Sequence, residues 1–218
     1  MKPLADCRLY AFVDTAYLND REPAELARLL IEGGADIIQL RAKDWPIEDI
    51  REAAEAILPI TRAAEIPLVI NDHWPLASEL GAEICHLGQE DFFETEDDPT
   101  PELTFPGPQL GLSSHAPEQA QAALEADADY IAIGPVYPPP TKPGRPGVTL
   151  DYVRWAAENL HDCPWFAIGG ITLENIDDVL AAGARRICVV SAILNAPEPA
   201  EACQQFKEHL ASAPLKKL

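Results

Sequence analysis

A phrase recurs along this chain. Glu32-Gly33-Gly34-Ala35-Asp36, Leu80-Gly81-Ala82-Glu83, Glu125-Ala126-Asp127-Ala128-Asp129 and Ala182-Gly183-Ala184 each close a helical stretch and lead into a short apolar run. Glycine at such points suits the left-handed cap that ends many helices. A repeated helix–Gly–Ala–strand unit restricts the chain to parallel α/β architecture. Strands are expected at Arg8–Asp14, Asp36–Arg41, Pro67–Asn71, Ile84–Leu87, Gln109–Ser113, Tyr130–Gly134, Trp165–Ile168 and Arg186–Val190. Helices are expected at Pro23–Glu32, Ile47–Ala64, Pro75–Leu80, Pro117–Ala126, Leu150–Glu158, Leu173–Ala182 and about Pro199–Leu210. Eight strands point to a single (β/α)8 TIM barrel. A doubly wound open sheet is the alternative, but no Gly-x-Gly-x-x-Gly follows the first strand. Two segments break the rhythm. Phe92–Pro108 is acidic and proline-rich, so its helix is expected to be short or missing. Pro135–Gly147 is a long proline-rich loop of the kind that serves as a lid.

At 218 residues the chain suits one domain, residues 1–218. Its 36 acidic and 16 basic residues leave a formal charge of −20, which argues against nucleic acid and for a solvated acidic surface. Small phosphorylated ligands need only a local cationic pocket and stay open. Five cysteines (Cys7, Cys85, Cys163, Cys188 and Cys203) are widely spaced, with no Cys-x-x-Cys, so neither a disulfide framework nor a zinc site is expected. Cys85 and Cys188 sit in apolar runs and read as core. The first ten residues carry charges and no long apolar region, and no stretch approaches 18 apolar residues, so a cytoplasmic protein with no membrane contact is expected. The choice between monomer and homo-oligomer stays open.

Reactive groups of a barrel gather at the C-terminal ends of its strands. Residues 38–44 read Ile-Gln-Leu-Arg-Ala-Lys-Asp, and strand alternation sends Gln39, Arg41 and Lys43 to one face. Leu40 and Ala42 take the other, which can lie under helices. Two cations aimed into one spot of an acidic protein point to an anionic ligand; a pair of surface charges is the plain alternative. Asn71-Asp72 follows the third strand and His86-Leu87-Gly88-Gln89-Glu90-Asp91 the fourth. Two carboxylates on adjacent strands, Asp72 and Asp91, suit one Mg2+ held against a diphosphate. Asp72 also reads as a helix cap, and Asp91 as part of the acidic run to Asp98. Ser113-Ser114-His115, Thr141-Lys142, Gly169-Gly170 and Val190-Ser191 follow the later strands. Gly169-Gly170 and Ser191, which begins a short extra helix, fit a phosphate site built on backbone N–H groups. His86 reads as a hydrogen-bonded core or rim residue, His115 as a support for the Ser113 loop, and the tryptophans as packing residues.

These stretches, in this order, resemble the thiamine-phosphate synthase family. The match is carried by Gln39-Leu40-Arg41-Ala42-Lys43, Asn71-Asp72, His86 to Asp91, Gly111 to His115, Ala128 to Pro138, Thr141-Lys142, Ala167 to Ile171 and Val189 to Ile193. The resemblance implies a (β/α)8 barrel and a transferase. Such an enzyme joins 4-amino-2-methyl-5-hydroxymethylpyrimidine diphosphate to 4-methyl-5-(2-phosphoethyl)thiazole, or its carboxylated form. The products are thiamine phosphate and pyrophosphate. It implies that the run Gln39, Leu40, Arg41, Ala42 and Lys43, with Asn71, Ser113 and Lys142, forms the pyrimidine diphosphate site. Arg41, Lys43 and Lys142 would act on the leaving charge, Asp72 and Asp91 would bind one Mg2+, and Thr141, Gly170, Val190 and Ser191 would hold the thiazole phosphate. The implied mechanism is dissociative, through a pyrimidinylmethyl cation. One departure stands out: the family usually has threonine at the position of Pro139, which offers neither hydroxyl nor backbone N–H. Two other readings stay open. A thiazole tautomerase relative tends to lack the residues at 41, 43, 71, 72 and 91 that this chain keeps. A non-catalytic phosphate-binding barrel is the other.

Overall fold

The computed structural model describes residues 1–93, 107–138 and 149–213. Eight parallel strands close into a barrel in sequence order. They are β1 (Leu9–Asp14), β2 (Ile37–Arg41), β3 (Leu68–Asn71), β4 (Ile84–Leu87), β5 (Gln109–Ser114), β6 (Tyr130–Ile133), β7 (Trp165–Ile168) and β8 (Ile187–Val189). The helices are α1 (Pro23–Glu32), α2 (Ile47–Ala63), α3 (Trp74–Leu80), α4 (Gln89–Phe93), α5 (Pro117–Glu125), α6 (Thr149–Asn159), α7 (Ile176–Ala181), α8 (Ser191–Leu194) and α9 (Pro199–Ala211). All eight expected strands are present. In α2 the buried positions Ile50, Ala53, Ala54, Ile57, Leu58 and Thr61 follow the helical repeat, so one stripe faces the barrel and Pro59 falls on the exposed side.

Element ends fall within a residue of expectation except at one helix start. The helix expected over Leu173–Ala182 begins at Ile176, because the Asn175 side chain ties residues 170–175 into a turn. Its Oδ1 accepts from Thr172 N–H at 2.9 Å and its Nδ2 donates to the Gly170 carbonyl at 2.9 Å. The helix after β4 is short, as expected: α4 has five residues and lies beside Ser113, whose hydroxyl accepts from the Gln89 N–H at 3.1 Å. Residues 94–106 and the expected lid beyond Pro138 lie outside the described residues.

The recurring phrase does two mechanical jobs at the N-terminal end of the barrel. Its first member reverses the chain in a left-handed conformation: Gly34, Gly81 and Gly183 have φ of 87°, 65° and 113°. Gly33, also expected there, is right-handed at φ −73°. The same turn is made without glycine by Asp127 (φ 55°) and by Glu65 (φ 58°). A Cβ in this region costs about 1–2 kcal/mol. Glu65→Gly is therefore expected to raise stability by about 0.5–1 kcal/mol after the added freedom of the unfolded chain is counted. A thermal melt that falls would show that Glu65 makes a contact outweighing its strain.

The last member of the phrase is the second device. The Asp36 carboxylate accepts from the N–H groups of Arg8 and Leu9, each at 2.9 Å. Glu83 accepts from Leu68 N–H at 3.0 Å, and Asp129 from Leu110 N–H at 2.7 Å. Each acid that precedes an even-numbered strand thus caps the start of the odd-numbered strand before it. A first strand residue has backbone donors that the ladder alone does not fill, and a carboxylate is a strong acceptor for them.

Register sets what faces inward. Phe12 pairs with Gln39 and Asp14 with Arg41, Asn71 pairs with His86, and Tyr10 with Cys188. Alternation then sends Tyr10, Phe12 and Asp14 of β1 inward beside Gln39 and Arg41 of β2. Tyr10, Phe12, Tyr130 and Phe166 fill the middle of the barrel, with ring centroids 5.2–5.9 Å apart among the Tyr10 and Phe166 contacts. Offset and edge-on pairs at this spacing are favourable beyond their burial. This aromatic plug closes the barrel below and leaves its C-terminal mouth hollow.

Candidate active site

Above the plug lies a cavity of about 440 Å³ bounded by all eight strands or the residues just beyond them. Five of the expected site residues form its wall: Gln39, Arg41, Asn71, Ser113 and Val190. Leu40 and Ala42, counted in the substrate-binding run, are buried at 1% and 6% exposure and do not line it. Their side chains occupy the opposite strand face, so only their backbone can serve the site. Gly170 and Ser191 are exposed beside the cavity, at the exits of β7 and β8. Gly170 is left-handed at φ 66°, and a Cβ there would stand 2.7 Å from Cβ of Tyr137. The loop after β6 packs that closely on the loop after β7. Val190 turns the chain from β8 into the four-residue α8. Pro139, Thr141, Lys142 and Arg145 lie outside the described residues.

Arg41 is not the unpaired cation that its position in the sequence implied. Its Nη1 donates to Asp14 Oδ2 at 2.7 Å, and Asp14 is 2% exposed. Asp14 also accepts from Ala16 N–H at 3.0 Å, which fixes the short 3-10 turn after β1. Sequence reasoning missed Asp14. The available signal was alternation: Tyr10, Phe12 and Asp14 share a face, and an acid ending that face needs a partner. One bond to Asp14 aims the guanidinium and leaves further N–H donors for a ligand. Lys43 stands two residues on, exposed beyond the strand end.

Asp72 has a left-handed backbone, φ 67°, and its N–H donates to the His86 carbonyl at 2.9 Å. Strain of this kind concentrates where a side chain must be aimed. The carboxyl pKa is raised, first by the protein packed around it; Lys43 pulls it down, Asp91 pushes it up, and His73 and Arg41 pull it down. The side chain is open to solvent at the mouth, so water limits the size of the rise. The causes themselves carry the information: Arg41, Lys43, Asp72 and Asp91 share one electrostatic neighbourhood. Asp91 leans over Gly88, where a Cβ would come 2.5 Å from Oδ2 of Asp91. Ser113 anchors the helix that carries Asp91 through the Gln89 N–H.

Among the described residues no cluster of three or more His, Cys, Asp or Glu gathers as a complete metal cage. Asp72 and Asp91 supply two hard oxygen donors, and their mutual repulsion is relieved by a dication. That donor set fits a magnesium ion completing its shell with ligand oxygens and water.

Among the described residues the cavity holds no activated nucleophile. Cys188 reaches it, but burial pushes its thiol well above the ordinary value. Burial pushes the His86 imidazole down to about 4, so it is neutral at pH 7. His86 Nδ1 lies 2.8 Å from the Tyr130 hydroxyl, making it the hydrogen-bonded rim residue expected. His115 ties the Ser113 loop, of which it is part, to the neighbouring strand exit, the support expected of it. Its Nδ1 bonds to the Gly134 carbonyl, next to the cis Gly134–Pro135 peptide, so it braces the exit of β6. Trp74 is buried away from the cavity wall. All five cysteines are free and buried, among them Cys85 and Cys188, which were expected in the core. No described helix is long and apolar enough to cross a membrane.

A family model described as thiamine monophosphate synthase matches residues 9–193. The thiamine-phosphate synthase of Thermus thermophilus is 50% identical over 182 residues, covering 83% of this chain and 85% of that protein. That of Acidothermus cellulolyticus is 42% identical over 217 residues, covering 96% of this chain and 98% of that protein. The solved structure of thiamine phosphate pyrophosphorylase from Pyrococcus furiosus superposes with a TM-score of 0.82 at 26% identity, covering 96% of this chain and 98% of that one. The (S)-3-O-geranylgeranylglyceryl phosphate synthase of Thermoplasma acidophilum, at 16% identity and TM-score 0.72 over 97% of this chain and 100% of that one, shares the fold alone. These relatives agree in name as well as in sequence, and the chain belongs to the thiamine monophosphate synthase family, transferases of thiamine biosynthesis.

Proposed function

We propose that this protein joins 4-amino-2-methyl-5-hydroxymethylpyrimidine diphosphate to 4-methyl-5-(2-phosphoethyl)thiazole, or its carboxylated form, giving thiamine phosphate and pyrophosphate. The observation that carries this reading is that Lys43, Asp72 and Asp91 share one electrostatic neighbourhood with Arg41 of the cavity wall, where no described residue is an activated nucleophile. Such a site handles leaving charge rather than covalent chemistry. Asp72 and Asp91 would hold one Mg2+. When bound, that ion supplies positive charge against the diphosphate oxygens. Arg41, aimed by Asp14, and Lys43 bind the same diphosphate. Lys142 is assigned to it as well, and Gln39, Asn71 and Ser113 to the pyrimidine side.

The step these groups favour is dissociative. The C–O bond breaks and its electron pair leaves with pyrophosphate, giving a pyrimidinylmethyl cation stabilised by the ring amino group. The thiazole nitrogen lone pair then forms the new C–N bond. His86 Nδ1 is engaged by the Tyr130 hydroxyl and buried Cys188 stays a thiol, so both compete poorly for that cation. Gly170, Val190, Ser191 and Thr141 are assigned to the thiazole phosphate, at the β7–β8 exits where barrels of this type often bind phosphate. The five reduced thiols suit a cytoplasmic setting.

The test is pyrophosphate release followed with each substrate alone and with both, with and without Mg2+. Release that needs both substrates and the metal is expected. Thiazole isomerisation without the pyrimidine diphosphate, or binding without turnover, would replace this reading by a tautomerase or a regulatory barrel.

A further inference from the structure

Four polar side chains form a line through the barrel interior. Gln39 Nε2 donates to the Tyr10 hydroxyl at 2.7 Å. The Tyr10 hydroxyl is 2.9 Å from that of Tyr130, which is 2.8 Å from Nδ1 of His86. A phenol has one proton to give. Tyr10 accepts from Gln39, so its own proton goes to Tyr130. The Tyr130 proton then goes to Nδ1 of His86, and a neutral imidazole must carry its proton on Nε2. The two outer groups, Gln39 Oε1 and His86 Nε2, have no partner among the described residues. Neither is sealed off, and both residues line the cavity. The tyrosine rings cannot drift. Tyr10 stacks on Phe12 at 5.2 Å and meets Phe166 edge-on at 5.5 Å. Tyr130 fills the room left by Gly111, where a Cβ would stand 2.2 Å from its ring.

We propose that Gln39, Tyr10, Tyr130 and His86 form a directional hydrogen-bond chain that holds the carbonyl of Gln39 toward the cavity, so that the site selects a heteroaromatic ring bearing an amino group over one bearing an oxo group. A free glutamine amide is ambidextrous, since a half-turn presents NH2 instead of C=O. Within the chain an isolated half-turn sets two acceptors, Oε1 and the Tyr10 oxygen, against each other in a buried place. Relief requires all three bonds to invert and the His86 proton to move to Nδ1. Tyr10 and Tyr130 are therefore positioning residues, coupling the senses of two groups on different strands. This rests on the assignment of Gln39 to the pyrimidine side and adds what makes that contact selective.

The ¹⁵N NMR spectrum of histidine-labelled protein without ligand tests the chain directly. His86 is expected as the Nε2–H tautomer; Nδ1–H in the wild type overturns the proposal. Gln39→Glu, read at a pH where its carboxylate is ionised, leaves only acceptors at that end, so every bond should reverse and His86 should move to Nδ1–H, three bonds away. An unchanged tautomer in a folded Gln39→Glu protein also overturns it. The selectivity is read as kcat/KM for the aminopyrimidine diphosphate against its oxo analogue. Tyr10→Phe and Tyr130→Phe keep the rings and should cut this preference by about 10-fold or more, mainly through KM. The thiazole phosphate KM and the Mg2+ requirement should hold. An unchanged preference in both folded variants refutes the selective role. Should the wild type use neither pyrimidine, the assignment of the site fails, and its selectivity with it, while the tautomer results still decide the chain.

Discussion

Asp72→Asn is expected to lower turnover by roughly 100-fold or more while leaving the barrel folded, the scale seen when a preorganised electrostatic group is removed. Asparagine is the informative replacement. Residue 72 is left-handed at φ 67°, a conformation asparagine tolerates and alanine does not. The backbone bond from residue 72 to the His86 carbonyl survives the change. What is lost is one of the two charges that would hold Mg2+. A companion variant reaches the other charge without touching it. In Gly88→Ala the new methyl displaces the Asp91 carboxylate, which lies 2.5 Å from where that Cβ must go. The side chain swings aside cheaply, so stability is expected to hold while the Mg2+ concentration for half-maximal rate rises by about 10-fold, as for loss of a group that orients a ligand. The raised pKa of Asp72 sets the sign of the pH response. Metal binding needs the carboxylate, so affinity should weaken as pH falls through a value raised above the ordinary 3.8. Wild-type rates in Asp72→Asn, with an unshifted Mg2+ requirement in Gly88→Ala, would remove these carboxylates from the reaction.

Much of this could be read from residues alone because it depends on local rules. Strands and helices declared themselves through apolar runs and the Gly–Ala phrase, and closure followed from there being eight. Gln39, Arg41, Asn71 and Ser113 fell on the cavity wall because strand alternation is a rule of backbone geometry. The same rule turned the side chains of Leu40 and Ala42 away from it, which leaves their backbone for the site. What stayed hidden required partners far apart in sequence. Asp14 meets Arg41 across 27 residues, and Tyr10 meets Tyr130 across 120. Neither pairing has a period or a spacing that a reader of sequence can detect. The start of α7 was misjudged for a different reason: a side chain, Asn175, satisfies the backbone in place of a helical turn.

The most severe loss of stability is expected far from the chemistry, at Asp36. It is the one acid of the recurring phrase that caps two strand donors, Arg8 and Leu9, where Glu83 and Asp129 each cap one. It also receives Lys2 from the chain start and Lys207 from α9, the latter at 2.7 Å. A single carboxylate with 3% exposure therefore joins the first strand, the segment before it and the last helix. Asp36→Ala leaves the Leu9 N–H unsatisfied where Leu9 is fully buried. The lysines, about one-third exposed, can return to water, so the cost lies mostly in the orphaned donors and the lost anchor. About 3–5 kcal/mol is expected, near the range for breaking a buried ion pair. For a chain of this size that is roughly 10 °C in Tm. Asp129→Ala, which orphans one donor and frees no helix, should cost about 1–2 kcal/mol. The Asp36 pKa is shifted opposite to that of Asp72, although both carboxylates lose their contribution as pH falls. Burial alone would raise the Asp36 pKa, but bonds from Lys2, Lys207 and the Leu9 N–H outweigh it and hold it below the ordinary 3.8. A depressed folded pKa means the contribution is complete above the unfolded value. It is lost as pH falls from about 4 through the lower folded value. Asp36→Asn keeps an acceptor for the strand donors but has no charge to titrate, so its stability profile should flatten in that window relative to the wild type. Equal losses for Asp36→Ala and Asp129→Ala would show that the barrel closes without this anchor.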